Sequence, residues 1–201
     1  MCHILLVMEF IYEIPNVLSK ETCEELIERF LKDDDKHPST VSGGDVDSGI
    51  RKSTNLWIGG TNTDWDDIKE KMSKIFIEVI VKYGHYLEDN KLMTRSGLVT
   101  NFSEIGIGDL YINLSKEDDY YNWHCDDTNK IRKKEARTFS CLVYLSTLEE
   151  DQGGCTEFMC GKKVRPEQGK VLIFPSCWTY EHRAAMVKNS GMKYTCGCWI
   201  T

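Results

Sequence analysis

His124 and Asp126 stand two positions apart in the run Tyr121-Asn-Trp-His124-Cys-Asp126. On an extended strand, residues i and i+2 project to the same side, so an imidazole and a carboxylate can aim at one point. A third ligand has to come from another strand, and His182, in Tyr180-Glu-His182-Arg, is the available histidine in the same half of the chain. Two imidazoles and one carboxylate on one face of a metal form the facial set of non-haem iron(II) sites, with coordination positions left open. Those positions suit a bidentate 2-oxo acid and dioxygen. Each residue taken singly also fits a structural place on a strand. The residues further along the chain decide between the two readings.

Such a set needs strands to present it. From residue 97 onward short β-rich runs appear at 98–102, 109–114, 119–124, 138–146, 155–160, 171–175, 181–187 and 192–200. Turn signals separate most of them, among them Gly106, Gly108, Gly153-Gly154, Pro166, Gly169 and Gly191. The first half reads differently. Residues 8–14 alternate as a short strand ended by Pro15. Ser19 is an N-cap for an amphipathic helix over 20–32, with Leu26, Ile27, Phe30 and Leu31 on one face. Asp33 to Gly49 reads as a mobile loop and 54–58 as a strand. A second helix starts at Asp64, and Trp65, Ile68, Met72, Ile75, Phe76, Val79 and Tyr83 recur at helical spacing. Helices first and strands later give an α+β chain: an antiparallel barrel or sandwich with helices packed on one face.

The chain has 201 residues, which is about one domain, here read as 1–201 with a support about 1–96 and a β-rich core about 97–201. With 41% hydrophobic and 28% charged residues, disorder and fibrous folds are excluded. The net charge of −7 argues against a nucleic-acid binder, which carries a basic footprint. Nine cysteines without CxxC spacing read as reduced thiols in the cytoplasm rather than as a zinc or disulfide framework. The short apolar run Ile4–Met8 lacks the features of a signal peptide. No run approaches the ~20 apolar residues of a membrane span.

Several further pieces follow in order: Arg137-Thr-Phe-Ser-Cys-Leu-Val-Tyr144-Leu145, Gly153-Gly154-Cys-Thr156-x-Phe158, Pro166-x-x-Gly169, Phe174-Pro175, His182, Gly191-x-Lys193-Tyr194 and Trp199. With Tyr121-x-x-His124-x-Asp126 before them, the sequence resembles the 2-oxoglutarate and Fe(II)-dependent dioxygenases, in the prolyl 4-hydroxylase-like branch. The resemblance covers about 107–200 well and 10–60 loosely, where Gly49-Ile-Arg51-Lys-Ser53 is similar to a segment before an early strand. It implies a double-stranded β-helix, or jelly roll, with the N-terminal helices packed outside. It implies iron binding by His124, Asp126 and His182. Lys193, eleven residues after His182, matches the cation that pairs with the distal carboxylate of 2-oxoglutarate. A buried dianion needs such a partner, since an unpaired buried carboxylate costs several kcal/mol. Tyr144 matches a tyrosine that joins the same carboxylate, and Tyr111 is a second candidate for cofactor binding; both also fit as barrel filling. Arg137, Trp199 and Tyr121 match residues near the substrate. Trp123 and Trp178 are expected to face away into core, as is Cys125. Cys196 and Cys198 share a face.

The implied reaction consumes 2-oxoglutarate and dioxygen, releases succinate and carbon dioxide, and hydroxylates an unactivated C–H bond, with ascorbate as a possible reductant. The loops 33–53 and 127–136 are natural lids. At the second, Lys130, Arg132, Lys133, Lys134 and Arg137 form a basic run, a solvated loop or a contact for an acidic peptide. The expected substrate is a prolyl residue in a peptide or protein. A free amino acid or other small molecule on the same scaffold is the alternative enzyme reading, and a non-catalytic jelly-roll binding module is the alternative from another class. Nucleic-acid dealkylation is disfavoured, since no arginine follows Lys193. A zinc hydrolase is disfavoured too, since nothing resembles a paired general base. Neither nucleic acid nor membrane is expected as a partner, and the oligomeric state stays open.

Overall fold

The computed structural model describes residues 8–41, 44–58, 63–94, 106–127 and 137–201. Two helices, α1 (Lys20–Lys32) and α2 (Asp66–Asp89), precede most of the strands. The strands are β1 (Tyr12–Ile14), β2 (His37–Pro38), β3 (Arg51–Lys52), β4 (Thr54–Ile58), β5 (Leu110–Ser115), β6 (Tyr120–His124), β7 (Phe139–Tyr144), β8 (Thr156–Phe158), β9 (Lys163–Val164), β10 (Val171–Pro175), β11 (His182–Ala184) and β12 (Lys193–Ile200). They form a larger sheet in the order β1-β10-β7-β12-β5-β4-β2 and a smaller one in the order β3-β6-β11-β8-β9. Neighbours pair antiparallel throughout. The architecture is the α+β double-stranded β-helix that the resemblance implies.

The period of two in the larger sheet sets the layers. On β12, Tyr194, Cys196, Cys198 and Ile200 enter the core shared with the helices, while Lys193, Thr195 and Trp199 line a cavity on the other face. On β5, Leu110, Ile112 and Leu114 face the helices, and Tyr111, Asn113 and Ser115 face the cavity. Leu56 and Ile58 of β4 likewise oppose Asn55 and Trp57. Alternation therefore splits each central strand into an apolar face for the helices and a chemical face for the site.

The helices supply the matching apolar stripe. The Ser19 hydroxyl caps α1 by accepting from the Thr22 N–H at 3.3 Å, and Cys23, Leu26 and Phe30 are buried. From α2, Ile68, Met72, Phe76, Val79, Ile80, Tyr83 and Leu87 are buried at helical spacing. The Arg29 guanidinium donates to both carboxylate oxygens of Asp67, at 2.8 and 3.0 Å, and ties the two helices together.

Gly169 locks α1 to the sheet. Its carbonyl accepts from the Val17 and Leu18 N–H groups at 2.8 and 3.2 Å. Its φ is +81°, and a Cβ there would fall on the Leu18 carbonyl oxygen. Gly169→Ala is expected to lower stability by about 1–3 kcal/mol, through left-handed strain and that overlap. A urea midpoint checks it, and an unchanged midpoint would remove Gly169 from this account.

Some expectations shift. The first strand is only Tyr12–Ile14, because Met8 and Glu9 are helical. The expected loop 33–49 contains β2, too short a strand to show a period. The second helix continues past Tyr83 to Asp89, since Leu87 prolongs the buried stripe. Strand β9 is two residues long and carries no readable pattern. Trp123 and Trp178 do face away from the site, but toward solvent and not core: they are 37% and 78% exposed. Trp123 is on the outer side of the smaller sheet, where Arg183 covers its ring at 4.9 Å. The expected strand at 98–102, the apolar residues 4–7 and the basic run Lys130–Lys134 lie outside the described residues. Among those described, no helix is long and apolar enough to cross a membrane.

Candidate functional site

His124 and His182 are 58 residues apart in sequence and face each other directly across β6 and β11. A register shift follows at once, since the next pair is Ala184 with Tyr121. Their ring centroids lie 4.3 Å apart. Asp126, two residues beyond the end of β6, places Oδ1 3.7 Å from His124 Nε2 and Oδ2 3.7 Å from His182 Nε2. One ligand atom from each residue lies within 4.8 Å of the others. That spacing and donor set suit a divalent ion held on one face.

Both histidines are oriented the same way. His124 Nδ1 lies 2.7 Å from the Asn122 carbonyl, and His182 Nδ1 lies 3.0 Å from the Tyr180 carbonyl. A carbonyl can only accept, so each Nδ1 carries the proton and each Nε2 keeps a free lone pair aimed at Asp126. The Tyr121 ring stacks on His124 at 3.5 Å between centroids. Burial, then the charge of His182, pushes the His124 pKa down to about 4. His124 is therefore neutral at pH 7, as a metal ligand must be. For Asp126, burial pushes the carboxyl pKa up, but His182, His124, the Ser140 hydroxyl and Arg137 together outweigh it and hold it below the ordinary value.

Ser140 on β7 fixes the carboxylate. Its hydroxyl donates to Asp126 Oδ2 at 2.6 Å and lies 2.8 Å from the Ser176 hydroxyl. Ser140→Ala is expected to weaken iron(II) binding about 10–100-fold, the range for lost partners of metal ligands, without unfolding the chain. An iron titration beside a thermal melt checks it; unchanged affinity would assign Ser140 to packing alone.

The ligands sit in a cavity of about 520 Å³ between the two sheets. Lys193 reaches it from the start of β12 and is 5% exposed. Burial lowers its pKa to about 8. Among the described residues no carboxylate pairs with it. Its ammonium lies 5.5 Å from the centroid of the Tyr144 ring.

Tyr144 departs from the expectation that its hydroxyl faces the cosubstrate. The ring belongs to a core cluster with Phe158, Leu172 and Phe174, and its hydroxyl is 2.8 Å from Thr156 Oγ1. Thr156, not Tyr144, lines the cavity. Position 144 projects from β7 between the sheets, and its hydroxyl meets Thr156 on β8 of the facing sheet.

Tyr111 does line the cavity. It pairs with Gly197 across β5 and β12, and a Cβ at Gly197 would come within 2.6 Å of the Tyr111 hydroxyl. The missing side chain gives the tyrosine its bed. Trp199 packs on Tyr111 at 5.1 Å, and Arg137 covers Trp199 at 3.4 Å. Arg137 also donates to the Asp126 carbonyl at 3.1 Å.

The cavity includes residues to which the sequence reading gave no role. Arg51 lies 4.7 Å over the Tyr121 ring and donates to the Thr40 carbonyl and to Asn113 Oδ1, at 3.1 and 3.2 Å. Its signal was the segment Gly49–Ser53, but nothing local announces a site arginine. Cys125 lines the cavity rather than the core, because β6 ends at His124 and alternation stops there. Cys196 and Cys198 join Cys23 and Cys141 in the helix-side core, where burial raises each thiol pKa.

Residues 110–201 match the family described as the 2OG-Fe(II) oxygenase superfamily. None of the curated proteins matches the sequence. The whole chain is similar in structure to a viral collagen prolyl hydroxylase from Paramecium bursaria Chlorella virus-1, solved with 2OG. That match has 22% identity, covers 95% of each chain and has a TM-score of 0.65. A prolyl-4-hydroxylase from Pseudomonas putida matches at 16% identity over 98% of this chain and 97% of its own, TM-score 0.67. A prolyl hydroxylase from Trichoplax adhaerens, solved with a hypoxia inducible factor peptide fragment, matches at 15% identity over 99% and 89%, TM-score 0.68. At these identities the likeness is one of fold. Residues 110–201 are thus similar to the 2OG-Fe(II) oxygenase superfamily, and the chain shares the fold of these prolyl hydroxylases.

Proposed function

We propose that residues 1–201 act as one domain, a 2-oxoglutarate- and O2-dependent iron(II) hydroxylase of prolyl residues in a peptide or protein. The observation that carries this reading is Lys193: a buried cation with no carboxylate partner among the described residues, in the cavity that holds the two histidines and Asp126. A buried ammonium without a counter-ion is costly, and a dianionic cosubstrate removes that cost.

In this reading His124, Asp126 and His182 hold the iron through Nε2, a carboxylate oxygen and Nε2. When bound, iron(II) with 2-oxoglutarate supplies the dioxygen chemistry that yields succinate, carbon dioxide and one oxygen atom on the substrate. The chain's own groups do the positioning. The Asn122 and Tyr180 carbonyls keep both imidazoles in the ligating tautomer. Lys193 takes the distal carboxylate, with Thr156 beside it and Tyr144 supporting from behind, while Tyr111 stands further along the cavity, packed on Trp199. Trp199, Tyr121 and Arg137 shape the substrate end. The apolar helix-side core closes the back of the sheet to water. Ascorbate is the proposed reductant, and the cytoplasm the proposed compartment, where the thiols stay reduced.

The test is an anaerobic titration with iron(II), then 2-oxoglutarate, followed by a proline-containing peptide panel scored for a one-oxygen mass gain. A visible iron-to-oxo-acid absorption band, then succinate and a hydroxylated peptide, is the expected result. Absence of both iron and 2-oxoglutarate binding would leave a jelly-roll binding module. The band with hydroxylation of a small molecule only would move the substrate class to free amino acids.

A further inference from the structure

The cavity holds more positive charge than the proposed cofactors neutralise. Three cations line it, Lys193, Arg51 and Arg137, against one carboxylate among the described residues, Asp126. A divalent metal and a dianionic cosubstrate cancel each other. Asp126 offsets one cation, and two remain. Lys193 is committed to the cosubstrate in the reading above, on which this inference rests. The surplus therefore belongs to the arginines.

Both arginines are held in place by neutral groups. Arg51 stacks over Tyr121 and donates to the Thr40 carbonyl and Asn113 Oδ1, while Asn113 also accepts from the Ser39 hydroxyl at 2.9 Å. Arg137 lies on Trp199 and donates to the Asp126 carbonyl. Neither makes an ion pair among the described residues. Both guanidiniums stand over aromatic rings that line the same cavity, Arg51 over Tyr121 and Arg137 over Trp199. Arg137 also lies apart from the cosubstrate end. Trp199, under Arg137, is six residues along β12 from Lys193. On an extended strand that is about 20 Å, more than one short diacid spans.

We propose that Arg51 and Arg137, held over Tyr121 and Trp199, form a carboxylate-binding subsite for the substrate, so that the hydroxylated molecule carries an acidic group close to its target carbon. A guanidinium fork that is already immobilised loses little freedom on gripping a carboxylate, and its bonds are charge-assisted. The carboxylate has two possible sources. One is the α-carboxylate of a free amino acid, and the other is an acidic side chain next to the target residue of a peptide.

The test titrates the full chain by calorimetry, anaerobically, with and without iron(II) and 2-oxoglutarate. The probes are two acid–amide pairs: acetyl-Ala-Pro-Asp-Ala-amide against its Asn counterpart, and L-proline against L-prolinamide. The acid member of at least one pair is expected to bind about tenfold or more tightly. Preference confined to the peptide pair assigns an acidic peptide; preference confined to the proline pair assigns a free amino acid. R51Q and R137Q are each expected to erase the difference between acid and amide, and R51K to restore part of it. Equal binding of acid and amide in both pairs, or no binding of any probe, overturns the subsite. The 2-oxoglutarate arm reports separately. Acid preference without 2-oxoglutarate binding would sink the hydroxylase reading and leave the subsite standing.

Discussion

Asp126→Ala is expected to abolish iron(II) binding and turnover while the jelly roll stays folded. Partners of metal ligands are worth about 10–100-fold, so losing the ligand itself costs more than about a hundredfold. Two imidazoles remain, and burial keeps that of His124 uncharged at pH 7 by holding its pKa near 4. They offer neither a third donor nor the anion that offsets a divalent ion. The fold should survive, because Asp126 lies beyond the end of β6 and its loss removes no strand pairing. In the wild type the Asp126 carboxyl sits below its ordinary value of 3.8. Its contribution to stability is therefore present above that ordinary value and is lost as pH falls through the depressed one. The alanine variant should lack that acid limb. The checks are an iron titration, a succinate assay and melts across the acid range. Retained turnover in Asp126→Ala would remove the metal reading altogether.

Much of this site was legible in the sequence because the β period is short and rigid. The alternation of β12, with Lys193, Thr195 and Trp199 against Tyr194, Cys196, Cys198 and Ile200, is visible as letters and becomes two faces in space. The pairing of His124 with His182 is not visible. It depends on the register between β6 and β11, and that register is set by strands and turns between the two. Resemblance to a family supplied it where periodicity could not. Arg51 was unreadable for a related reason. It stands on a two-residue strand, and only the pairing of β3 with β6 places it over Tyr121. Ser140 was quoted within a motif yet had no role until Asp126 was found 2.6 Å from it. Trp123 and Cys125 show the reverse error. A tryptophan or thiol beside a ligand reads as core by hydrophobicity, but a strand that faces solvent on one side, and ends at His124, leaves them elsewhere.

Lys193 is where function and stability are expected to move in opposite directions. In the ligand-free chain its pKa falls from the ordinary 10.5 to about 8, because burial disfavours the ammonium. Between those values the unfolded chain binds more protons than the folded one. Stability from this group therefore rises with pH from about 8 to 10.5, and its penalty is full below 8. Lys193→Met replaces the uncompensated charge with an apolar chain of similar length. It is expected to stabilise the ligand-free protein by roughly 1–4 kcal/mol, the range for apolar replacement of buried charges. The same variant should weaken 2-oxoglutarate binding about 100-fold or more, since it leaves a buried carboxylate unpaired at about 3–5 kcal/mol. The wild-type affinity carries its own signature. Only the ammonium form pairs with the cosubstrate, so affinity is flat below pH 8 and falls as pH rises through it. In Lys193→Met that dependence should vanish. A lysine kept for structure would give the opposite pattern: a lower melting temperature on substitution, with the 2-oxoglutarate affinity and its pH profile untouched. Melts and cosubstrate titrations of the two proteins from pH 6 to 10 separate these outcomes, because no structural role both destabilises the empty protein and titrates with the ligand.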